Sequence, residues 1–393
     1  MKLNKILFFT AFGVLFEKVF PLLISFVFIN KIANEVYGLW IIYFQFFLII
    51  NSSIASPLIL NFNNNFFSSS NGKINILETR IIILISLLGF LVLLFVPNTS
   101  ILSVFLIIVM VFSSVFYLLI SNYLRFLEQN LRYAKYSSIR FFLFACCLIS
   151  FSYDNQLSVN EIVISFIVAN SLPLIRFFRI FNISLYNRDF TKEFLKLSIY
   201  GVSTFFLSGI DRSVLGFYGY DLVSIATIGY AAAIANVPSI LTEIMKKYFS
   251  PRFYRDFNSY GFYNRDTIKI TLGFYIVLTL IQLLFPLILF FILKSAKLLK
   301  DSLVSKNFIL LIFVFSIAMA IYNLYHFLNP IIFFKNKSQR LIYILFISSM
   351  IFLILLKLPF FNLDALLKVG LIKLFANVIL VFFTLKLVTD ESN

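Results

Sequence analysis

The chain has 393 residues, 61% of them hydrophobic and only 13% charged, and 53 phenylalanines stand among the 19% that are aromatic. A soluble domain is roughly 45–50% apolar and about 25% charged, so one aqueous core is excluded; at roughly 20 apolar residues per crossing the length holds about a dozen membrane spans and little else. The 33 Lys and Arg against 17 Asp and Glu give +16; in a polytopic chain that excess first reports orientation, and no nucleic-acid partner is expected.

Hydrophobic runs bounded by charge, Asn/Ser clusters or proline predict twelve spans in chain order. They cover residues 6–29, 37–60, 81–96, 101–120, 139–153, 161–175, 197–218, 222–244, 270–293, 307–328, 341–358 and 366–388. Lys2 and Lys5 before an apolar run imitate a signal peptide, but no small-x-small cleavage site follows, so an uncleaved first span is expected. Pro97 to Ser100 is too short to be anything but a turn between two antiparallel spans. Backbone groups in lipid must be satisfied within their own segment, so these runs predict helices and an all-α polytopic membrane protein.

Orientation follows from Lys and Arg in alternate loops. The set that includes both termini carries 23, the opposite set 7, which places both termini in the cytoplasm. Four of those seven, Lys294, Lys297, Lys300 and Lys306, crowd into one loop and oppose the rule locally. The long polar connections 121–138, 176–196 and 245–269 fall on the cytoplasmic side. The outer loops are short, which weighs against a membrane-embedded polymerase or ligase with a catalytic outer loop.

Three cations remain inside spans, Lys18, Arg212 and Lys373, with Glu17 and Asp211 beside the first two. A charge at a helix centre costs ~2.5–3.5 kcal/mol on insertion, so such residues face water-filled cavities or partners. Neighbours on a helix diverge by about 100°. Glu17 therefore cannot satisfy Lys18, nor Asp211 satisfy Arg212, and each needs another helix or water. Lys373 lies near enough to a helix end to snorkel. Tyr322, His326 and Asn329, beside Asn323, recur at i, i+4 and i+7 on the tenth span; such a stripe serves sugar hydrogen bonds, a proton-linked switch at the imidazole, or interhelical adhesion. Cys146 and Cys147 are adjacent and His326 is the sole histidine, which leaves no disulfide framework and no zinc ligand set. No phosphate-binding loop occurs and no cofactor is expected. Work must come from an ion gradient, the membrane potential or the substrate's own gradient.

The acid–base dipeptides fall in spans one and seven. Each precedes a glycine that opens the next span, Gly38 after Lys18 by 20 residues and Gly229 after Arg212 by 17. This suggests two six-helix halves about a midplane site, a plan common among secondary transporters. The segments "FINKIANEVYGLWIIYFQFFLIINSSIASPLI" and "LKLSIYGVSTFFLSGIDRSVLGFYGYDLVSIATIGYAAAIANVPSILTEIMKKYFSPRFYRDF" resemble the Wzx-type O-antigen and polysaccharide flippases of the multidrug/oligosaccharidyl-lipid/polysaccharide exporter superfamily. The second carries an Asp-Arg pair, a Gly-Tyr-rich helix and Pro251, as that family's pattern does.

The resemblance implies two six-helix lobes around a central cavity, residues 1–180 and 197–393, joined by a cytoplasmic linker 181–196. It implies a bacterial inner-membrane transporter rather than an enzyme. The cargo would be an undecaprenyl-pyrophosphate-linked oligosaccharide, flipped from the cytoplasmic to the periplasmic leaflet by alternating access. On this reading Lys18, Arg212, Lys373, Tyr322, His326 and Asn329 line the lumen, Glu17 and Asp211 couple or pair, and an H+ or Na+ gradient supplies work. A polysaccharide polymerase and a chain-length regulator are the expected partners. A drug or small-molecule antiporter on the same fold, and a polysaccharide polymerase or ligase, remain the alternatives.

Overall fold

A computed structural model describes residues 2–19, 22–66, 74–76, 100–126, 129–153, 156–177, 181–183, 215–242, 265–300, 305–334, 338–357 and 364–389, with single positions 198, 244 and 303. Its helices are α1 (Lys2–Val19), α2 (Leu22–Phe26), α3 (Asn34–Phe66), α4 (Ile101–Phe126), α5 (Asn130–Ser152), α6 (Val159–Phe177) and α7 (Leu222–Asn236). They continue with α8 (Arg265–Ser295), α9 (Lys306–Phe334), α10 (Ser338–Lys357) and α11 (Ala365–Thr389). The all-α expectation is met. Six helical segments among the described residues are long and apolar enough to cross a membrane, one each in α4, α5, α8, α9, α10 and α11. The predicted spans 81–96 and most of 197–218 lie outside the described residues. A three-residue parallel ladder joins β1 (Ile74–Ile76) to β2 (Phe181–Ile183). Paired strands share one side of a bilayer, as the alternating loop assignment places these two segments.

Helix starts are specified by short polar side chains that satisfy orphan N–H groups. Ser103 N–H donates to Ser100 Oγ (3.1 Å), Ser224 N–H to Asp221 Oδ1 (2.6 Å), Phe308 N–H to Ser305 Oγ (3.2 Å) and Leu366 N–H to Asp364 Oδ1 (3.0 Å). At α6, Ser158 and Glu161 form a reciprocal capping box: Ser158 N–H donates to Glu161 Oε2 (2.7 Å) and Glu161 N–H to Ser158 Oγ (3.4 Å).

The chain divides into two compact units, residues 31–226 and residues 1–30 with 227–393. In the first, α4 packs along α6, and α5 packs against α6. An aromatic core joins these helices to α3: Trp40, Phe44, Phe47 and Phe144 all have ring centroids 5.4 to 6.4 Å from that of Phe166. Gly38 has no side chain because the backbone of Leu222, at the start of α7, occupies that space. One expectation is overturned here. Residues 121–138 are not a long polar loop: α4 runs to Phe126 and α5 begins at Asn130. Its buried face is Asn130, Tyr133, Ala134, Ser137, Arg140 and Phe144, a 3.6-residue period, while Arg132 and Lys135 stay exposed.

In the second unit α9 packs along α11, with α8 and α10 against them. Gly370 of α11 faces Leu311 and Val314, and Asn377 Nδ2 donates to Ala318 O (2.8 Å); positions rise together, so α9 and α11 run parallel. The two units share a frame. Ser103 on α4 donates to Asn160 on α6 (2.8 Å), and Asn307 on α9 donates to Asp364 at the head of α11 (2.9 Å). Further along, Asn170 Nδ2 donates to Ser113 Oγ (3.4 Å), where the second unit has Asn377 and Ala318.

Candidate functional site

The predicted site residues are not all on one element, and only some are described. Asp211 and Arg212 lie outside the described residues. Glu17 and Lys18 end α1, Glu17 half-buried and Lys18 exposed. Tyr322, His326 and Asn329 are on α9; Tyr322 is buried and stacks on Tyr325 (centroids 5.6 Å apart), and the side chains of His326 and Asn329 are outside the described residues.

Lys373 is the best-defined of the set. It lies eight residues into α11, roughly 12 Å from the helix start at 1.5 Å per residue. It does not snorkel: the residue is 2% exposed, with Nζ 5.5 Å from the Phe315 ring centroid on α9. A ring face is a soft partner for an ammonium in a dry setting, worth ~0.5–2 kcal/mol. One turn on, Asn377 is fully buried; its amide N–H is used on Ala318 O while Oδ1 has no hydrogen-bond partner among the described residues. Along the α9–α11 register Tyr322 stands four residues beyond Ala318, and Lys373 four before Asn377. The two are therefore about 12 Å apart along the helices.

A second polar group, unrecognised in the sequence, joins α7, α8 and α9. Gln282, fully buried on α8, donates Nε2–H to Ala235 O (2.5 Å) and accepts from Asn323 Nδ2 (3.4 Å). Two backbone features explain its position. Ala235 is at the C-terminal end of α7, where carbonyls lack helical partners. Pro286 lies inside α8, so the carbonyl of Gln282 receives no i+4 N–H. A glutamine four residues before a proline inside an apolar run was the available signal. Tyr275 O–H donates to Ala320 O (3.2 Å) on the same side of α9 as Asn323.

The first unit holds a buried cation that loop assignment had hidden. Arg140, counted as a cytoplasmic loop residue, lies ten residues into α5 and is 5% exposed. Its guanidinium carbon is 4.2 Å from the Tyr117 centroid and 5.5 Å from that of Phe166, and the Tyr117 hydroxyl is 3.0 Å from Ser137 Oγ. Removing one cation from the cytoplasmic tally leaves the orientation bias intact. Among the described residues, every buried charged side chain is basic: Arg140 and Lys373. No group of three or more metal-ligating side chains occurs among those residues.

No family model and no curated protein sequence matches the chain. Solved structures do. The MATE multidrug transporter DinF-BH is 16% identical with a TM-score of 0.65, covering 99% of this chain and 95% of that one. A mutant of the Vibrio cholerae MATE transporter VcmN is 14% identical with a TM-score of 0.61, over 98% and 95%. An outward-facing MATE family transporter of the MOP superfamily is 11% identical with a TM-score of 0.54, over 100% and 96%. The likeness defines a class by fold alone: a polytopic, all-helical architecture. Within that class the fold is the one shared by MATE and MOP superfamily transporters.

Proposed function

We propose that the protein is a transporter of lipid-linked oligosaccharide, moving an undecaprenyl-pyrophosphate-linked repeat unit from the cytoplasmic to the periplasmic leaflet of a bacterial inner membrane. A polymerase and its chain-length regulator would then act on the delivered unit. The observation that carries the reading is the sign of the buried charge. Charges in membrane interiors mark substrate and ion pathways, and the buried ones described here are two cations and no acid. That polarity suits a pyrophosphate and disfavours a cationic drug, for which buried carboxylates are the complementary choice. Buried amides and hydroxyls on α8, α9 and α11 (Gln282, Asn323, Tyr322 and Asn377) add the neutral hydrogen-bonding groups that sugars require. Lys18, Arg212 and Lys373 are the proposed anion-sensing residues, His326 and Asn329 extend the polar stripe, and Glu17 and Asp211 are the proposed coupling acids. Both termini are cytoplasmic in this scheme.

The test is a proteoliposome assay with a fluorescent lipid-pyrophosphate oligosaccharide, scored by an impermeant quencher. The protein should make the internal pool accessible, and Lys373→Gln should slow it at least tenfold. Export of a cationic dye without movement of the lipid-linked sugar would establish the antiporter instead. In cells, loss of the protein should strand single repeat units on the cytoplasmic face; accumulation on the periplasmic face would indicate a polymerase.

A further inference from the structure

We infer that the α8–α11 end of the second unit is a binding surface for the phosphate headgroups of anionic phospholipids. Six lysines meet there: Lys294 ends α8, Lys297 and Lys300 follow it, Lys306 opens α9, Lys357 ends α10 and Lys368 lies in the first turns of α11. Three of these helix ends are tied by hydrogen bonds, Asn307 Nδ2 donating to Asp364 Oδ2 and Lys368 Nζ to Leu356 O, and the end of α8 joins them where Phe290 packs on Phe308 of α9, ring centroids 6.0 Å apart. Segments 294–306 and 357–368 contain only two acids, Asp301 and Asp364. The Asp364 carboxylate is engaged by Asn307 and by Leu366 N–H. Lys294, Lys297, Lys306 and Lys357 are exposed.

Two ordinary explanations fall short. Cations suit helix C-termini, which covers Lys294 and Lys357, but Lys306 and Lys368 sit in opening turns where the helix dipole disfavours them. Orientation is no explanation under the proposed topology, since this end faces away from the cytoplasm and lysines there work against the rule.

The backbone supplies an independent observation. Leu298 N–H bonds Leu293 O and Lys297 N–H bonds Lys294 O, the paired bonds of a Schellman ending, with Lys297 in the left-handed region at φ 54°. Glycine is the residue that this position favours, and a lysine kept there at a conformational cost points to use of its side chain. The occupant is indicated by what adjoins the lysines. The exposed apolar stripe of α8, Leu284, Ile288, Phe291 and Ile292, leads straight to Lys294 and Leu298. Acyl chains against that stripe bring their headgroups to the level of the amines.

The experiment uses the full chain, delipidated in detergent and offered phosphatidylglycerol or phosphatidylcholine of matched chains, with retained lipid read by native mass spectrometry. Phosphatidylglycerol should be preferred, the preference should shrink between 50 and 500 mM salt, and the combination Lys294→Gln, Lys297→Gly, Lys306→Gln and Lys357→Gln should reduce it at least tenfold. Lys297→Gly alone should bind phosphatidylglycerol more weakly while melting at a higher temperature, which separates lost charge from lost folding. Unchanged phosphatidylglycerol retention in both variants overturns the proposal. So does inorganic pyrophosphate binding the same lysines as tightly as the lipid, because the surface would then read a soluble anion. Neither result depends on whether the protein flips a lipid-linked sugar.

Discussion

Lys373→Met separates a transport residue from a packing residue. Methionine keeps the length of the side chain and removes the charge. An ammonium at membrane depth costs ~2.5–3.5 kcal/mol on insertion, and the Phe315 ring, 5.5 Å from Nζ, returns ~0.5–2 kcal/mol. The difference favours the uncharged variant by roughly 0.5–3 kcal/mol, so Lys373→Met should unfold later than the parent in detergent. If the ammonium senses the anionic part of the cargo, the same variant should flip the lipid-linked sugar at least tenfold more slowly, a loss of about 1.4 kcal/mol in the barrier. Opposite signs in the two assays are the signature of a charge retained for function. A variant that melts more than about 1 kcal/mol below the parent and transports normally would make Lys373 an interhelical pin, and the reasoning would fail.

Other outcomes follow from the packing. Gly38→Ala places a methyl against the Leu222 carbonyl; because both partners are backbone, α3 and the start of α7 must separate, and thermal unfolding should show a loss of about 1–3 kcal/mol, with an unchanged melt refuting the close approach. Arg140→Ala removes a guanidinium packed on Tyr117 and Phe166 and should destabilise by about 2–4 kcal/mol through lost packing as well as charge, while Arg140→Lys, lacking the planar group, should recover only part of it; equal stability of all three proteins would contradict this. With Cys146 and Cys147 replaced by serine, Lys297→Cys should react with an impermeant maleimide from the periplasmic side, and labelling confined to inverted vesicles would reverse the proposed orientation.

Much of the helical plan was legible because lipid imposes a simple rule: an apolar run of sufficient length must be a helix. The predicted spans 307–328 and 366–388 lie within α9 and α11, which extend beyond them by one to six residues, and span 341–358 matches α10 to within three residues at its start and one at its end. Legibility failed where composition and periodicity disagree. The stretch from Asn130 to Arg140 is polar by count, yet its polar residues divide between a buried face with Ser137 and Arg140 and an exposed one with Arg132 and Lys135. Reading composition alone turned two turns of helix into a loop and misplaced Arg140 with them. Gln282 was passed over for a different reason: a lone amide in an apolar run has no partner in the sequence, and its role depends on the end of α7, which the chain reaches 47 residues earlier. Lys373 was found by its charge, but whether it turned outward or inward depended on Phe315, 58 residues away.

The shared frame of the two units shows why their buried charges could not be matched by alignment of residue types. Asn170 on α6 and Asn377 on α11 hold corresponding places, each donating its amide to the parallel helix two elements before it. Four residues earlier on those helices stand Phe166 and Lys373. Phe166 is the ring beneath Arg140, and Lys373 is the cation above Phe315. The same turn of the frame thus contributes the aromatic half of a cation–ring pair in one unit and the cationic half in the other. Burying a cation on a ring requires only that the two chemistries meet; it does not fix which helix supplies which. The surroundings then set the roles apart. Arg140 is held by two rings within a core of Trp40, Phe44, Phe47 and Phe144, a setting that immobilises it. A buried amide oxygen without a hydrogen-bond partner among the described residues stands one turn from Lys373 (Asn377 Oδ1), and its counterpart one turn from Phe166 (Asn170 Oδ1) is likewise unsatisfied; what sets Lys373 apart is the buried polar pair Tyr322 and Asn323 further along α9, neutral hydrogen-bonding groups of the kind a sugar cargo requires.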